Sequence, residues 1–590
     1  MVVLFALFLY YFIVSIESTL SNSEAFAIFT EGCIIPAFPL ISENIKGLVG
    51  LPKKTIDCAK SYPLLISNES HIIIEEAALE HYNVMEKAQF YCCYQSFYAK
   101  KSMEDIVYES CIQFTDTIEG RHEFVRVECY YLDSIFYTDF FIFMKNTKTI
   151  AGKESNKFNV MIFGLESVSR INFLRTMPGT AKFLRDRGSV QLLGYNKLGD
   201  NSFPNLFPLL LGKSFKDENI YKYNNTIDTN MGPFVWDQYK RSGYVTALGS
   251  DSMAGLLGAY EYNLNNLPTD YYLLPFMYES RTLFKNKFYN YHMCYQNKMY
   301  YKTLLNYIYG LSRNLKDNNL FGIFWEESVS HEQLNYPHIM DSQYLNLLIK
   351  LESSGYLNET VVIFLSDHGM RWGKIVQTEQ GRQEERLPLV EILLPYQFKS
   401  LYKLAYKNLQ TNAHRLTTPF DMHATLIDLL DPTLLNDEEI DKRSESGLYD
   451  NQSSLFLPIS KNRTCEYVGI SDHWCTCYKG KQLPTGHKTR IKAAKFLIQS
   501  INSILVRFPQ CHKLSIKNIL DVSMVRDVRG STFRVAVEAN PGGGIFDGTL
   551  RSERGVWANS GTISRLNLYR GQSDCVTDIS VKLYCYCKKP

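Results

Sequence analysis

The stretch VVIFLSDHGMRWG, Val361 to Gly373, starts as an apolar, β-branched run and stops on Ser366-Asp367-His368-Gly369. A run of this kind, closed by turn formers, predicts a strand buried on both faces. Its end sets an acid and an imidazole side by side where the chain must turn. In open parallel sheets, ligands bind beyond the carboxyl ends of the strands, where loops converge on a rigid frame. The stretch therefore predicts a core strand and a site at the end of it.

The same pattern recurs upstream and downstream. From about Phe158, short apolar runs alternate with longer helical stretches: NVMIFGLES (159–167), GYVTALGS (243–250), FGIFWEES (321–328) and PLVEILLP (388–395) join the opening stretch as core strands. This alternation predicts an α/β fold, a mostly parallel central sheet with helices on both faces. DSQYLNLLIKLESSGYL (341–357) predicts a helix with Asp341 or Ser342 as N-cap and Gly355 just past its end. Three strand ends deliver candidate metal ligands: Glu166, then Glu327 with His331, then Asp367 with His368. GDNSFPNLFPLLLGKS (199–214) places Ser202 ahead of an apolar helix-like run. A single acid at a strand end is commonly a cap or turn former. Recurrence at successive strand ends is what points to chemistry. Carboxylates with imidazole suit one or two divalent ions, zinc first, with manganese or calcium as alternatives, and a serine beside such an ion can act as a nucleophile.

With 590 residues, 45% of them hydrophobic and 21% charged, the chain can build more than one core. A net charge of +2 and the lack of a long basic run exclude a nucleic-acid footprint. The apolar run Val2 to Val14 is short for a membrane span of about 20 residues but fits a signal-peptide core. Residues 1–18 are thus expected to be a signal peptide, or an uncleaved anchor tethering the protein to a membrane. Fourteen cysteines cluster toward the ends, with only Cys294 between Cys129 and Cys465. They predict disulfide-rich flanks around a middle without staples, in a secreted or lumenal protein. Sequons at Asn68, Asn224, Asn358, Asn451 and Asn462 agree with export. The expected organisation is a cysteine-containing N-terminal region (19–150), a catalytic domain (151–435), a polar exposed linker (436–460) and a smaller cysteine-rich α+β domain (461–590).

The series GLES, DNSFPNLFPLLLG, ExxxH and SDHG resembles the alkaline phosphatase and sulfatase superfamily over roughly residues 155 to 435. Ser202-Phe203-Pro204-Asn205 is similar to the nucleophile segment of related phosphodiesterases. GLESVSRINFLRTMP, GDNSFPNL, SHEQLN, SDHGMRWG, EERLPL, TTPFDMHATL and HWCTC look like a little-characterised animal ectodomain family of that superfamily, a domain of unknown function. The resemblance implies that Glu166, Asp367, His368 and the Ser202 oxygen hold one metal, and that Glu327 and His331 begin a second site. It implies a Ser202 nucleophile, with Asn205 as an oxyanion donor. The substrate would be a phosphoester, lipid- or glycan-linked among the options, cleaved or passed on as a phospho-headgroup. The alternative is a weak or inactive ectodomain acting as a binding module.

Departures from that pattern are part of the reading. Glu166 and Glu327 stand where Asp is usual, and Gln380 stands where two-metal relatives carry a further His. His414 and His423 are the nearby substitutes, though DMHATLIDLL reads as a helix in which His423 is an ordinary polar residue. Leu206 occupies the arginine position of the sulfatase signature, which argues against formylglycine chemistry. Glu384, Glu385 and Arg386 read first as a solvated charged loop and second as a lining of the site, Arg170 and Arg175 as anion contacts or helix cover. The second Ser-Asp-His, Ser471 to His473, reads as coincidence.

Overall fold

The computed structural model describes residues 26–58, 62–144, 152–214, 232–253, 256, 267–284, 287–288, 290–445, 452–477, 480–527, 530–569 and 571–588. The expected signal peptide or anchor and the sequons Asn224 and Asn451 lie outside them.

The centre is a seven-stranded sheet whose strands, in chain order, are β1 (Asn159–Leu165), β2 (Val190–Gln191), β3 (Val245–Ser250), β4 (Tyr271–Tyr272), β5 (Leu320–Glu326), β6 (Thr360–Leu365) and β7 (Val390–Leu393). Their spatial order is β2-β7-β6-β1-β5-β3-β4. The β6-β1-β5-β3-β4 pairings are parallel. Strand β7 runs antiparallel to both β6 and β2. Every residue of β1, β3, β5 and β6 is buried. Alternate side chains of β1 serve opposite faces: Val160 and Ile162 enter one core, Met161, Phe163 and Leu165 the other. A sheet covered on both sides needs both sets apolar, and this explains the continuous hydrophobic runs.

Asp341 is not the cap of its own helix. It is the first residue of the helix Asp341–Ser353, and its carboxylate accepts the Gly179 and Thr180 amides at 2.8 Å each, capping the neighbouring helix Pro178–Asp186. The stretch expected as an exposed linker holds the helix Asp437–Glu445 and sends Ile440, Leu455 and Phe456 into a core under the central sheet. An antiparallel sheet with strands Phe90–Ala99, Phe124–Tyr131 and Ser134–Ile142 precedes the central one. Behind it come the antiparallel strands Ser515–Asp527, Gly530–Asn540, Gly544–Glu553 and Val556–Arg565, packed on the helix Lys488–Leu505.

All fourteen cysteines are paired. Five bridges stay within the flanks: Cys92–Cys129, Cys93–Cys111, Cys465–Cys475, Cys511–Cys585 and Cys575–Cys587. Of the other two, one corrects the expectation of an unstapled middle. Cys58–Cys294 ties the N-terminal region to the central unit, and Cys33–Cys477 ties the two flanks together.

Candidate metal centre

Glu166 directly follows strand β1 and β6 leads through Ser366 into Asp367 and His368, so adjacent parallel strands set these groups side by side. Glu166, Asp367 and His368 are each buried, and one ligand atom from each lies within 4.8 Å of the others. Ser202, at the start of the helix α1 (Phe203–Leu211), donates through Oγ to Glu166 Oε1 at 2.5 Å. The other Glu166 oxygen accepts the Trp325 indole at 2.7 Å. Gly164 makes room for that indole, since a Cβ there would lie 1.8 Å from a ring carbon of Trp325.

Gly369 answers why the motif ends in glycine. Its Cβ would lie 2.4 Å from the Glu384 carbonyl, and its amide donates to the Glu385 carbonyl at 3.0 Å. The turn can therefore press against the helix α2 (Glu379–Arg386). Ser366 Oγ donates to the His368 carbonyl at 2.7 Å, and Asp367 Oδ1 accepts the Ser167 amide at 3.1 Å. Ser167 takes the left-handed backbone, φ 61°, unusual away from glycine and concentrated at functional sites.

Glu327 Oε2 and His331 Nδ1 are buried here without a hydrogen-bond partner, and Asp367 Oδ2 and His368 Nε2 have no partner but each other. Asp367 Oδ2 and His368 Nε2 face each other at 2.9 Å. Orphaned buried acceptors are costly and need an explanation. A divalent cation supplies one, and two carboxylates, an imidazole and a hydroxyl oxygen are a fitting donor set. The charge balance agrees. Burial, then the charges of Asp367 and Glu327, raise the Glu166 carboxyl well above its usual range. Burial would also raise Asp367, but the facing His368 and hydrogen bonds hold it below its ordinary value.

Glu327 and His331 flank this cluster without entering it. Glu327 Oε1 accepts the Tyr291 hydroxyl at 2.7 Å, and burial raises its carboxyl to about 7. The His331 ring packs against Tyr291 at 5.2 Å and Trp372 at 5.9 Å, and burial lowers it to about 3. Asn205, expected as an oxyanion donor, is committed elsewhere. Its Nδ2 donates to the Gly199 and Asn201 carbonyls and its Oδ1 accepts the Leu198 and Gly199 amides, so it shapes the loop before Ser202.

The substitute histidines do not join the cluster. His423 Nδ1 donates to the Leu209 carbonyl, 2.8 Å away, and His414 sits on the surface at the end of the helix Lys403–Asn412. Gln380 donates to Pro39 O and Glu384 Oε1, both at 2.9 Å. The expected solvated loop 384–386 is the buried end of α2. Glu384 is gripped by Arg175, Glu385 pairs with the buried Lys197, and Arg386 pairs with Asp547 at 2.9 Å. Arg175 is thus a structural partner, and Arg170 bonds to Gln191 on β2.

Three supporting residues were not singled out from the sequence: Trp325, Tyr291 and Asp251. Asp251 follows β3 and accepts the Glu327 amide at 2.8 Å, the Ser328 amide at 3.2 Å and the Ser328 hydroxyl at 2.5 Å. The rule that flagged the other acids, a carboxylate just past a core strand, also covers Asp251.

Three solved structures are similar in part. The lipoteichoic acid synthase LtaP from Listeria monocytogenes aligns at 14% identity over 47% of this chain and 72% of its own, with a TM-score of 0.33. A protein in the alkaline phosphatase superfamily from Vibrio parahaemolyticus aligns at 13% over 75% and 95%, TM-score 0.34. The murine ectonucleotide pyrophosphatase/phosphodiesterase 5 aligns at 17% over 37% and 58%, TM-score 0.25. No curated protein matches. The family described as "Protein of unknown function (DUF229)" matches residues 52–520, and the chain belongs to that family.

Proposed function

We propose that the protein is a metal-dependent phosphoester hydrolase of the alkaline phosphatase and sulfatase type, with Ser202 as nucleophile and diesters as preferred substrates. The observation that carries this reading is the Ser202 hydroxyl bonded to Glu166 at 2.5 Å, within a buried Glu166–Asp367–His368 cluster. A divalent ion held by these residues would supply the charge that lowers the hydroxyl's pKa and offsets charge developing on the ester oxygens. Glu166 receives the hydroxyl hydrogen bond while Trp325 fixes its other oxygen. Ser202 Oγ attacks phosphorus, the bond to the leaving oxygen breaks with its electron pair, and water releases the phosphoseryl group in a second displacement. An acceptor hydroxyl in place of water would give headgroup transfer. Diesters are preferred because Ser202-Phe203-Pro204-Asn205 is similar to the phosphodiesterase nucleophile segment. Seven disulfides suit an oxidising, extracellular or lumenal setting. Among the described residues no helix is long and apolar enough to cross a membrane.

Purified protein is to be analysed for zinc, manganese and calcium and assayed on nitrophenyl mono- and diesters, with Ser202→Ala as control. Turnover that disappears in the variant supports the hydrolase. Metal-free protein without turnover overturns it. One observation favours a second reading, an ectodomain that binds without catalysing: Gln380 spends its amide on Pro39 and Glu384 instead of completing a second metal site. Bound metal with no turnover of either ester class would select that reading.

A further inference from the structure

The segment after Cys33 crosses the loop of Met370 to Trp372 as a strap. Its ends are covalently fixed, by Cys33–Cys477 and Cys58–Cys294. Between them, side chains of the central unit hold its carbonyls. Gln383 donates to Pro36 O at 2.7 Å, Gln380 to Pro39 O at 2.9 Å, Arg175 to Leu40 O at 2.9 Å and Asn335 to Leu48 O at 3.0 Å. Ile45 is fully buried against Met370, Ile375, Val376 and Leu566, and Leu48, Val49 and Trp372 pack on the same cluster.

Trp372 relays this contact toward the proposed nucleophile. The Arg371 guanidinium lies over its ring at 4.3 Å. Arg371 Nη1 donates to the Asp200 carbonyl at 3.2 Å and to Asn201 Oδ1 at 2.7 Å, the two residues ahead of Ser202. A guanidinium held over an indole keeps its donors in a rigid fork, which a flexible ammonium cannot do.

We propose that Arg371, braced by Trp372 and the strap, is the positioning residue that holds Ser202 toward Glu166. This also gives Gln380 a purpose: at the place where two-metal relatives carry histidine, it anchors the strap. The inference deepens the hydrolase reading and rests on it for its kinetic arm alone.

The test uses the full-length, disulfide-intact protein loaded with zinc, comparing wild type with Arg371→Ala, Arg371→Lys and Ile45→Ala. Hydrogen exchange is measured by mass spectrometry over residues 199–206, alongside kcat, KM and zinc content. Arg371→Ala is expected to raise exchange in that loop at least tenfold and to lower kcat on a nitrophenyl diester tenfold or more. KM should stay within twofold and zinc content should not change. Arg371→Lys should fall between, and Ile45→Ala should act in the same direction with smaller effect. Unchanged loop exchange in Arg371→Ala overturns the proposal, as does a kcat loss matched by loss of zinc. If the wild type hydrolyses neither ester, the hydrolase reading falls while exchange still decides whether Arg371 braces the loop. Should Arg371→Ala fail to accumulate, the lysine and Ile45 variants decide it by the same exchange readout.

Discussion

The tripeptide Ser-Asp-His occurs twice, at 366–368 and at 471–473, and the two copies meet opposite fates. His368 Nδ1 donates to the Gly369 carbonyl at 2.8 Å, and its Nε2 meets only the neighbouring Asp367 carboxylate, at 2.9 Å. His473 is saturated: Nδ1 meets Thr549 Oγ1 at 3.1 Å and Nε2 meets Ser564 Oγ at 3.0 Å. Asp367 is buried with one oxygen turned to His368, whereas Asp472 is partly exposed and accepts the Ser560 hydroxyl at 2.7 Å. The second copy joins units: the His473 carbonyl accepts Arg386, which pairs with Asp547 on a strand of the C-terminal sheet. Identical residues therefore join a buried cluster of metal-ligand type in one place and make a joint in the other. Position at a strand end, and partners drawn from other ligand-type side chains rather than from hydroxyls, mark the difference.

That contrast can be attacked directly. The largest expected effect is on chemistry, where Ser202→Ala should lower ester turnover by at least about a thousandfold with folding intact, read from initial rates and circular dichroism. Next, Asp367→Asn should weaken zinc binding by more than about a hundredfold in competition with a chelator, while Asp472→Asn leaves zinc affinity unchanged. A smaller effect should follow from Arg386→Met, which strands the Asp547 carboxylate in a site where both side chains are nearly fully buried. Breaking such a pair costs about 3–5 kcal/mol, seen as a thermal midpoint lowered by about 10 °C with zinc content unaltered.

The smallest effect concerns pH. Burial lowers His473 to about 3 from the ordinary 6.5. Between those values the unfolded chain takes up a proton that the folded one refuses, so stability falls as pH drops from 6.5 toward 3. His473→Gln should lose less stability than wild type between pH 7 and pH 5, by a few degrees in thermal scans. Equal slopes would show that His473 titrates in the folded protein.

Sequence pattern carried the central sheet because a strand covered on both faces must be apolar throughout, as Val160 to Leu165 are. Strand direction left no such trace, and the reversal of β7 could not be read from Val390–Leu393. The acids at strand ends were legible because the parallel β1 and β6 carry Glu166 and Asp367 to one edge. Glu384 to Arg386 misled for the opposite reason: a charged run looks solvated until its partners Arg175, Lys197 and Asp547, all remote in sequence, are known. Asp341 has the residue type of a cap, but tertiary packing gives it to another helix. Asn205 was chosen for its place beside the nucleophile, and local loop geometry consumed its bonding capacity.

The Cys33–Cys477 bridge spans 444 residues. A chain emerging from the ribosome presents Cys33 long before its mate exists, with Cys92, Cys93, Cys111 and Cys129 appearing meanwhile as wrong choices. Correct closure must wait until the central unit has been synthesised, making this clasp a late step of maturation.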